Sequence, residues 1–498
     1  MKAASADMAS SAARRGVRGG GISIAGQGAK IILQVVGTVV LSRLLSPADF
    51  GLFAMVAVFV SLGELLRDFG LPTAALQRSE LTHPQASNLF WANTALGLLV
   101  AGVLVVCGPL IALLYAEPRL QEILPVMAAV SVLNGMQAQI QVGLVKSMRF
   151  LALAVTDVTA QTAAYAAGIA CAAFGMGYRA LVVQALLGAA VQLVARWVLA
   201  GWRPQWPQRR QGTFALVRNG VNFGIANLLT FASSNIDTVM IGARLGAVEL
   251  GFYNRAFQLL MSPISRLVAP LSEVAIPTLQ GSVAERRSVQ PLLLRAQSLL
   301  ALVLVGVFMT LATASQWLIP WVLGNQWAPS IPIFNALAAG GCFWALSNVS
   351  LWSFVVLCES RELLRYNLVT KTATIVMIVI ASSFGAEAVA WAFTVSLMLS
   401  WPLNVWWLDR KAGLTASAFL RNGAAILVPA LASYVLVRLF QFVVGAALAD
   451  HALALISIGA AAALYLGFIA VTTSGRATLR TAVYDVSRMM GLGNAAGR

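Results

Sequence analysis

Charge is scarce in this chain: of its 498 residues only 10% are Asp, Glu, Lys or Arg. Together with a hydrophobic share of 59% and a mean hydropathy of +0.81, that scarcity excludes an ordinary soluble domain and a disordered chain alike. Histidine is nearly missing. With only His83 and His451, both in expected loops, a zinc or histidine-based catalytic centre has little to be built from. The four cysteines, Cys107, Cys171, Cys342 and Cys358, fall in or beside apolar segments without CxxC spacing, so they read as small core residues with no disulfide or metal role. No GxxxxGK[ST] loop occurs, which excludes ATP hydrolysis through that motif. The expected outer connections are short and leave no room for an extramembrane catalytic domain.

What the chain has instead is a series of long apolar runs. A spanning helix needs about 20 such residues, and windows of that size predict about fourteen helices between residues 21 and 473. An even number of crossings puts both termini on one side. Of the 34 Lys and Arg, 24 fall in the tails and connections of that side, among them Arg203, Arg209, Arg361, Arg365 and Lys371. Only Arg43, Arg119, Arg179 and Arg244 fall at the opposite face. Basic connections stay inside, so both termini are expected in the cytoplasm. The formal net charge of +16 is then explained by topology, and no nucleic-acid partner is expected. Residues 1–19 lead into a full-length apolar segment without a clear cleavage site, which reads as an uncleaved first helix rather than a signal peptide.

Two segments 200 residues apart share a signature: LSRLLSPADFGLF from Leu41 and IGARLGAVELGFY from Ile241. Leu45 matches Leu245, Asp49 matches Glu249, Gly51 matches Gly251 and Phe53 matches Tyr253. Six expected helices separate the copies, so both halves enter the membrane in the same direction and are expected to be related by a pseudo-two-fold axis along the membrane normal. The expected fold class is all-α integral membrane, two six-helix lobes around a central cavity plus two further helices. The division is a tail at 1–19, one lobe at 20–201, a cytoplasmic connection at 202–213, the other lobe at 214–408, two helices within 409–473 and a tail at 474–498.

The helix ahead of each signature carries a polar stripe. Ser23, Gln27, Lys30, Gln34 and Thr38 step by three or four, as do Asn227, Thr230, Ser234 and Asp237; at 100° per residue such steps keep one face polar. For the neutral residues two readings stand side by side: hydrogen-bonding glue between helices, or the lining of a cavity. Lys30 favours the cavity, because a charge at helix centre costs about 2.5–3.5 kcal/mol and is rarely tolerated without water or a partner. Arg67, Arg255 and Arg266 also fall inside expected spans. Lys30 and Arg266 have no acid within four residues, which marks them as candidate anion-binding groups. Arg67 and Arg255 are anion-binding candidates too: for Arg67, beside Glu64 and Asp68, the alternative is a local ion pair or a snorkelling side chain, and for Arg255 it is snorkelling to the outer interface. Arg196 and Arg438 are left to snorkelling. Arg255, Arg266 and Glu273 recur at spacings that place them near one face of a helix also holding Pro263, Pro270 and Pro277, each able to kink it. Asp237, Asp157 and Glu273 are candidates for H⁺ or Na⁺ coupling, or else partners of these cations. No other cofactor is expected.

Several segments resemble a known group: SRLLSPADFGLFAM (42–55), DFGLPTAALQRSELTHPQASNLFWANTALG (68–97), GMGYRALVVQ (175–184), NIDTVMIGARLGAVELGFYNRAF (235–257) and WVLGNQWAPSIPIF (321–334). In order and spacing they are similar to the polysaccharide-exporter branch of the multidrug/oligosaccharidyl-lipid/polysaccharide flippase superfamily, of the lipopolysaccharide and colanic-acid exporter type. The resemblance implies a flippase that moves a polyprenyl-pyrophosphate-linked oligosaccharide between leaflets by alternating access, among membrane lipids and alongside a polymerase or glycosyltransferase assembly. Lys and Arg suit the pyrophosphate, and Trp91, Trp344, Trp352 and Tyr165 are candidate sugar platforms. The competing expectations are a cation-coupled drug exporter of the same superfamily and a membrane glycan polymerase or ligase.

Overall fold

The computed structural model describes residues 26–68, 82–208, 213–358, 360–444, 450–471 and 475–476. Those residues are helical almost throughout. Helix α1 covers 26–44 and is followed by α2 (Pro47–Asp68), α3 (His83–Leu114), α4 (Leu120–Lys146), α5 (Phe150–Ala173) and α6 (Tyr178–Ala200). A helical run from Thr213 to Ala284 is broken once, at Gly246 with φ 86° and ψ −177°. That backbone conformation is essentially closed to residues bearing a Cβ, so the run is two helices, α7 before the glycine and α8 after it. Then come α9 (Gln290–Val322), α10 (Ser330–Leu357), α11 (Ser360–Ala381), α12 (Ala386–Ala412), α13 (Ala416–Val444) and α14 (Asp450–Val471). Pro263, Pro270 and Pro277 lie within helical backbone, and the only non-helical residue in the run is the glycine.

The described residues therefore form fourteen helices, the number the apolar windows predict. Among the described residues ten are long and apolar enough to cross a bilayer: α2, α3, α4, α6 and α9 to α14. Their outward faces are apolar, with Val106 80%, Leu113 76%, Val198 71% and Phe442 87% exposed. Such faces are stable only against hydrocarbon.

Contacts divide the chain into two compact units, Met1–Gly251 and Phe252–Arg498. Within the first unit the duplicated signature has a structural counterpart. A Cβ on Gly51 would stand 1.7 Å from the Ala247 carbonyl oxygen, and one on Gly251 would stand 2.0 Å from that of Pro47. Pro47 and Ala247 are themselves equivalent under the 200-residue offset. The two copies thus touch each other reciprocally, each glycine against the other copy's backbone, an approach that small residues alone permit.

The connection after α6 is also anchored. The Asn88 side-chain amide donates to the Gln208 carbonyl at 2.7 Å, and the Gln208 N–H donates to Asn88 Oδ1 at 2.8 Å. The Gln205 N–H donates to Ser87 Oγ at 3.0 Å and Trp91 Nε1 donates to the Gln205 carbonyl at 2.9 Å. Trp91 stacks on Trp206, with centroids 5.7 Å apart and planes at 6°, while Phe90 meets Trp197 and Trp202 edge-on. Trp91 is occupied in holding this connection to the start of α3.

Candidate functional site

Five helices of the first unit bring polar side chains together around one carboxylate. Asp157 on α5 accepts from Lys30 Nζ of α1 at 2.8 Å through Oδ2. Its Oδ1 accepts from Arg196 Nη2 of α6 at 2.8 Å and from Gln192 Nε2 at 3.0 Å. Gln161, one turn beyond Asp157, donates to the Lys30 carbonyl at 3.0 Å. Arg196 Nη1 reaches Gln137 Oε1 at 3.2 Å and Gln141 Oε1 at 3.1 Å on α4. Gln137 Nε2 donates in turn to Asn134 Oδ1, and the Asn134 amide donates to Glu64 on α2.

Helical periodicity builds this arrangement. Asn134, Gln137 and Gln141 step by three and four along α4, Gln192 and Arg196 by four along α6, Glu64 and Arg67 by three along α2. Each set therefore shares one face of its helix. The faces enclose a cavity of about 400 Å³ lined by Glu64, Arg67, Asn134, Gln137, Gln141, Gln192 and Arg196, with Ala138, Val142 and Val145 completing the wall. Arg67 is one residue, Arg196 four and Asp157 seven from the ends of their helices, which at about 1.5 Å per residue puts the charges within about 11 Å of one end of the unit.

Among the described residues three cations, Lys30, Arg67 and Arg196, meet two carboxylates, Glu64 and Asp157, so these side chains together carry a net charge of +1 (three minus two). Arg196 is only 4% exposed, and its Nε–H has no partner among the described residues. The Lys30–Asp157 pair is partly open, with side chains 28% and 19% exposed. A net-positive, partly hydrated pocket with donors left over suits an oxyanion.

Several expectations change here. Lys30 has no acid nearby in sequence, yet it is paired: Asp157, 127 residues away, supplies the carboxylate. Asp157 is accordingly a partner of cations, and of two at once. Arg196 does not snorkel, because its helix turns it toward α4 and α5 rather than outward, and Arg67, at 6% exposure, is a buried part of the cavity wall. Arg196, Gln137, Gln141, Asn134, Gln192 and Gln161 are functional candidates the sequence reading passed over. Their three-and-four spacing in otherwise apolar helices was the signal.

The remaining candidates lie elsewhere. Gln27 is exposed on α1 and Gln34 half-buried. On α7, Thr230 and Ser234 are exposed, whereas Asp237 is 5% exposed and accepts from the Thr238 N–H at 2.7 Å. The side chains of Asn227 and Arg266 lie outside the described residues. In the second unit, Arg255 is 6% exposed with its guanidinium 6.0 Å from the centroid of the Trp327 ring, so it does not snorkel either. Glu273 is exposed; 18 residues, five full turns, from Arg255, it keeps to the same side of α8 about 27 Å further along, where the burial around Arg255 has ended. Trp352 donates to Ser272 Oγ at 2.9 Å, and Tyr165 packs where a Cβ on Gly37 would meet its ring, so neither is a free sugar platform.

The sequence pattern of the family described as polysaccharide biosynthesis protein matches residues 40–332, more than half of the chain. The chain belongs to the polysaccharide biosynthesis protein family. Among curated members of similar sequence, the teichuronic acid biosynthesis protein TuaB of Bacillus subtilis is 24% identical over 78% of this chain and 82% of its own length. The lipopolysaccharide biosynthesis protein WzxC of Escherichia coli is 23% identical over 64% and 65%. The succinoglycan biosynthesis transport protein ExoT of Rhizobium meliloti is 28% identical over 61% and 62%. Among solved structures, the lipid II flippase MurJ in an inward closed conformation aligns with 90% of this chain and 98% of its own, at TM-score 0.70 and 13% identity. An inward-facing multidrug resistance MATE family transporter aligns over 79% and 96%, at TM-score 0.56 and 15% identity. This family member thus has the fold of those transporters.

Proposed function

We propose that the protein is a flippase that moves polyprenyl-pyrophosphate-linked oligosaccharides from the cytoplasmic to the periplasmic leaflet of the bacterial inner membrane by alternating access, in exopolysaccharide or lipopolysaccharide synthesis. It is a transporter and not an enzyme. The observation that carries this reading is the net-positive cavity of the first unit, where Arg67, Arg196 and Lys30 gather with two carboxylates among the described residues. A pyrophosphate supplies concentrated negative charge and planar oxygen pairs matched by guanidinium forks. Membership of a polysaccharide biosynthesis family supports the cargo class, and the excess of basic connections on one side supports cytoplasmic termini.

Arg266 and Arg255 are assigned to anion binding in the second unit. Of the three acids considered for H⁺ or Na⁺ coupling, Asp157 is engaged by two cations and Glu273 is exposed, which leaves Asp237, 5% exposed on α7, as the coupling carboxylate. The exported lipid is handed to a polymerase acting on the same repeat unit.

Deletion of the gene followed by lipid analysis tests the reading: polyprenyl-pyrophosphate oligosaccharide is expected to accumulate in the inner leaflet, and unchanged lipid pools would refute it. Arg196→Gln and Arg67→Gln are expected to insert normally and restore less than about a tenth of polymer output. Full output from both would remove the cavity from the mechanism. The rival reading, export of cationic drugs, calls for an acidic site; dye efflux matching that of a drug transporter would favour it.

A further inference from the structure

Lys371 stands in the middle of a membrane span. The apolar helix Arg361–Ala381 leaves ten residues on each side of it, about 15 Å to either end at 1.5 Å per residue. The tally of basic connections counts Lys371 among them. Helix α11 begins at Ser360, so the lysine lies inside the helix. A lysine stem reaches roughly 6 Å, four or five bonds of about 1.5 Å each, short of the about 9 Å that separate Lys371 from Arg365, the nearest charged residue of the helix's first turns.

Among the described residues of its own unit, none neutralises it. Among the described residues of that unit, no hydrogen bond or ion pair reaches Lys371 Nζ. The acids whose side chains are described there are committed or remote: Glu273 is exposed on α8, Glu285 pairs with Arg287 at 3.1 Å, and Glu362, near the start of α11, serves Arg365 at 2.8 Å and Lys411 at 3.4 Å. Glu387 sits in the first turn of α12 and Asp409 near its last turn.

The helix also shows which way the residue lies. Leu368, Val369, Val376 and Ile380, 50–61% exposed, mark the face of α11 turned to hydrocarbon, while Tyr366, Thr370, Thr374 and Ile378 are buried. Lys371 and Asn367, four residues apart and both half-buried, share the flank between those faces. A protonated amine at that depth is tolerated only beside an anion or water. The ammonium offers three donors and no acceptor, and the Asn367 amide next to it offers more.

From this we infer that Lys371 is an anion-binding residue of the second unit, taking an oxyanion carried by the cargo: a phosphate of the lipid carrier or the carboxylate of an acidic sugar. The inference rests on the flippase reading for the identity of the cargo. The full-length protein in nanodiscs, titrated with geranyl diphosphate, with a glucuronic-acid disaccharide and with inorganic phosphate, separates the sources. Lys371→Gln is expected to weaken one of the first two ligands about tenfold, and Lys371→Arg to keep it within threefold. Loss confined to the diphosphate assigns the carrier, and loss confined to the disaccharide assigns the sugar. Changes below twofold for both ligands, or an equal loss for inorganic phosphate, would overturn the inference. Should Lys371→Gln fail to reconstitute, Asn367→Leu keeps the charge and is expected to weaken the same ligand about threefold, unchanged binding counting against it. Unchanged lipid pools in the deletion strain would remove the cargo while leaving these binding results standing.

Discussion

Asp157 holds two cations from two other helices, Lys30 and Arg196, at 2.8 Å each. Removing a carboxylate from such a pair leaves charge without compensation, which in buried pairs costs about 3–5 kcal/mol. The partial exposure of the Lys30 contact lowers that toward about 2–3 kcal/mol. Asp157→Asn is therefore expected to lower the melting temperature of the purified protein clearly, and Lys30→Gln added to it is expected to recover part of the loss, since the second change removes an orphaned charge. Thermal unfolding in detergent measures both. A double variant no more stable than Asp157→Asn would mean that Arg196 alone depends on the carboxylate. Arg196 has five N–H groups, of which Asp157, Gln137 and Gln141 occupy only some; such a fork held by neutral amides retains its capacity for an incoming oxyanion.

Among the elements, the reciprocal contact of Gly51 with Ala247 and of Gly251 with Pro47 leaves no room for a methyl group. The obstacles are backbone carbonyls, which cannot rotate away as a side chain can, so relief requires one helix corner to move. Gly51→Ala and Gly251→Ala are each expected to reduce the yield of monodisperse protein several-fold on size-exclusion chromatography. The double variant is expected to cost less than the sum, because a single displacement of the corners relieves both clashes. Wild-type yield from either single variant would mean that the corners do not meet as closely as described. The anchoring of the 201–208 connection follows similar logic: Trp91, Trp206 and Asn88 fix it through stacking and paired amide bonds, so the segment behaves as an extension of α3 rather than as a slack tether.

For the whole molecule, the proposed orientation rests on the basic asymmetry of the connections. A cysteine introduced at Arg203, between α6 and α7, is expected to react with a membrane-impermeant maleimide only after the cells are opened, and one at Glu117, between α3 and α4, in intact cells, in a background lacking the four native cysteines. The reverse pattern would invert the assigned direction of transport.

The number of helices, their apolar outer faces and the duplicated signature were all legible in the sequence, because hydropathy and periodicity are local properties that a bilayer rewards residue by residue. Lys30 and Asp157 were each conspicuous there as charges in apolar helices. That they are partners was not, since 127 residues separate them and helical spacing relates only neighbours three or four apart. The same blindness assigned Arg196 to the interface, and counting Lys371 with the basic connections overlooked its place inside α11. Composition determined by itself that this chain lives in a membrane and carries more charge than hydrocarbon tolerates; only the packing of α1, α2, α4, α5 and α6 decided which charges neutralise one another and which remain to receive a ligand, because compensation depends on distances in space and the sequence records distances along the chain.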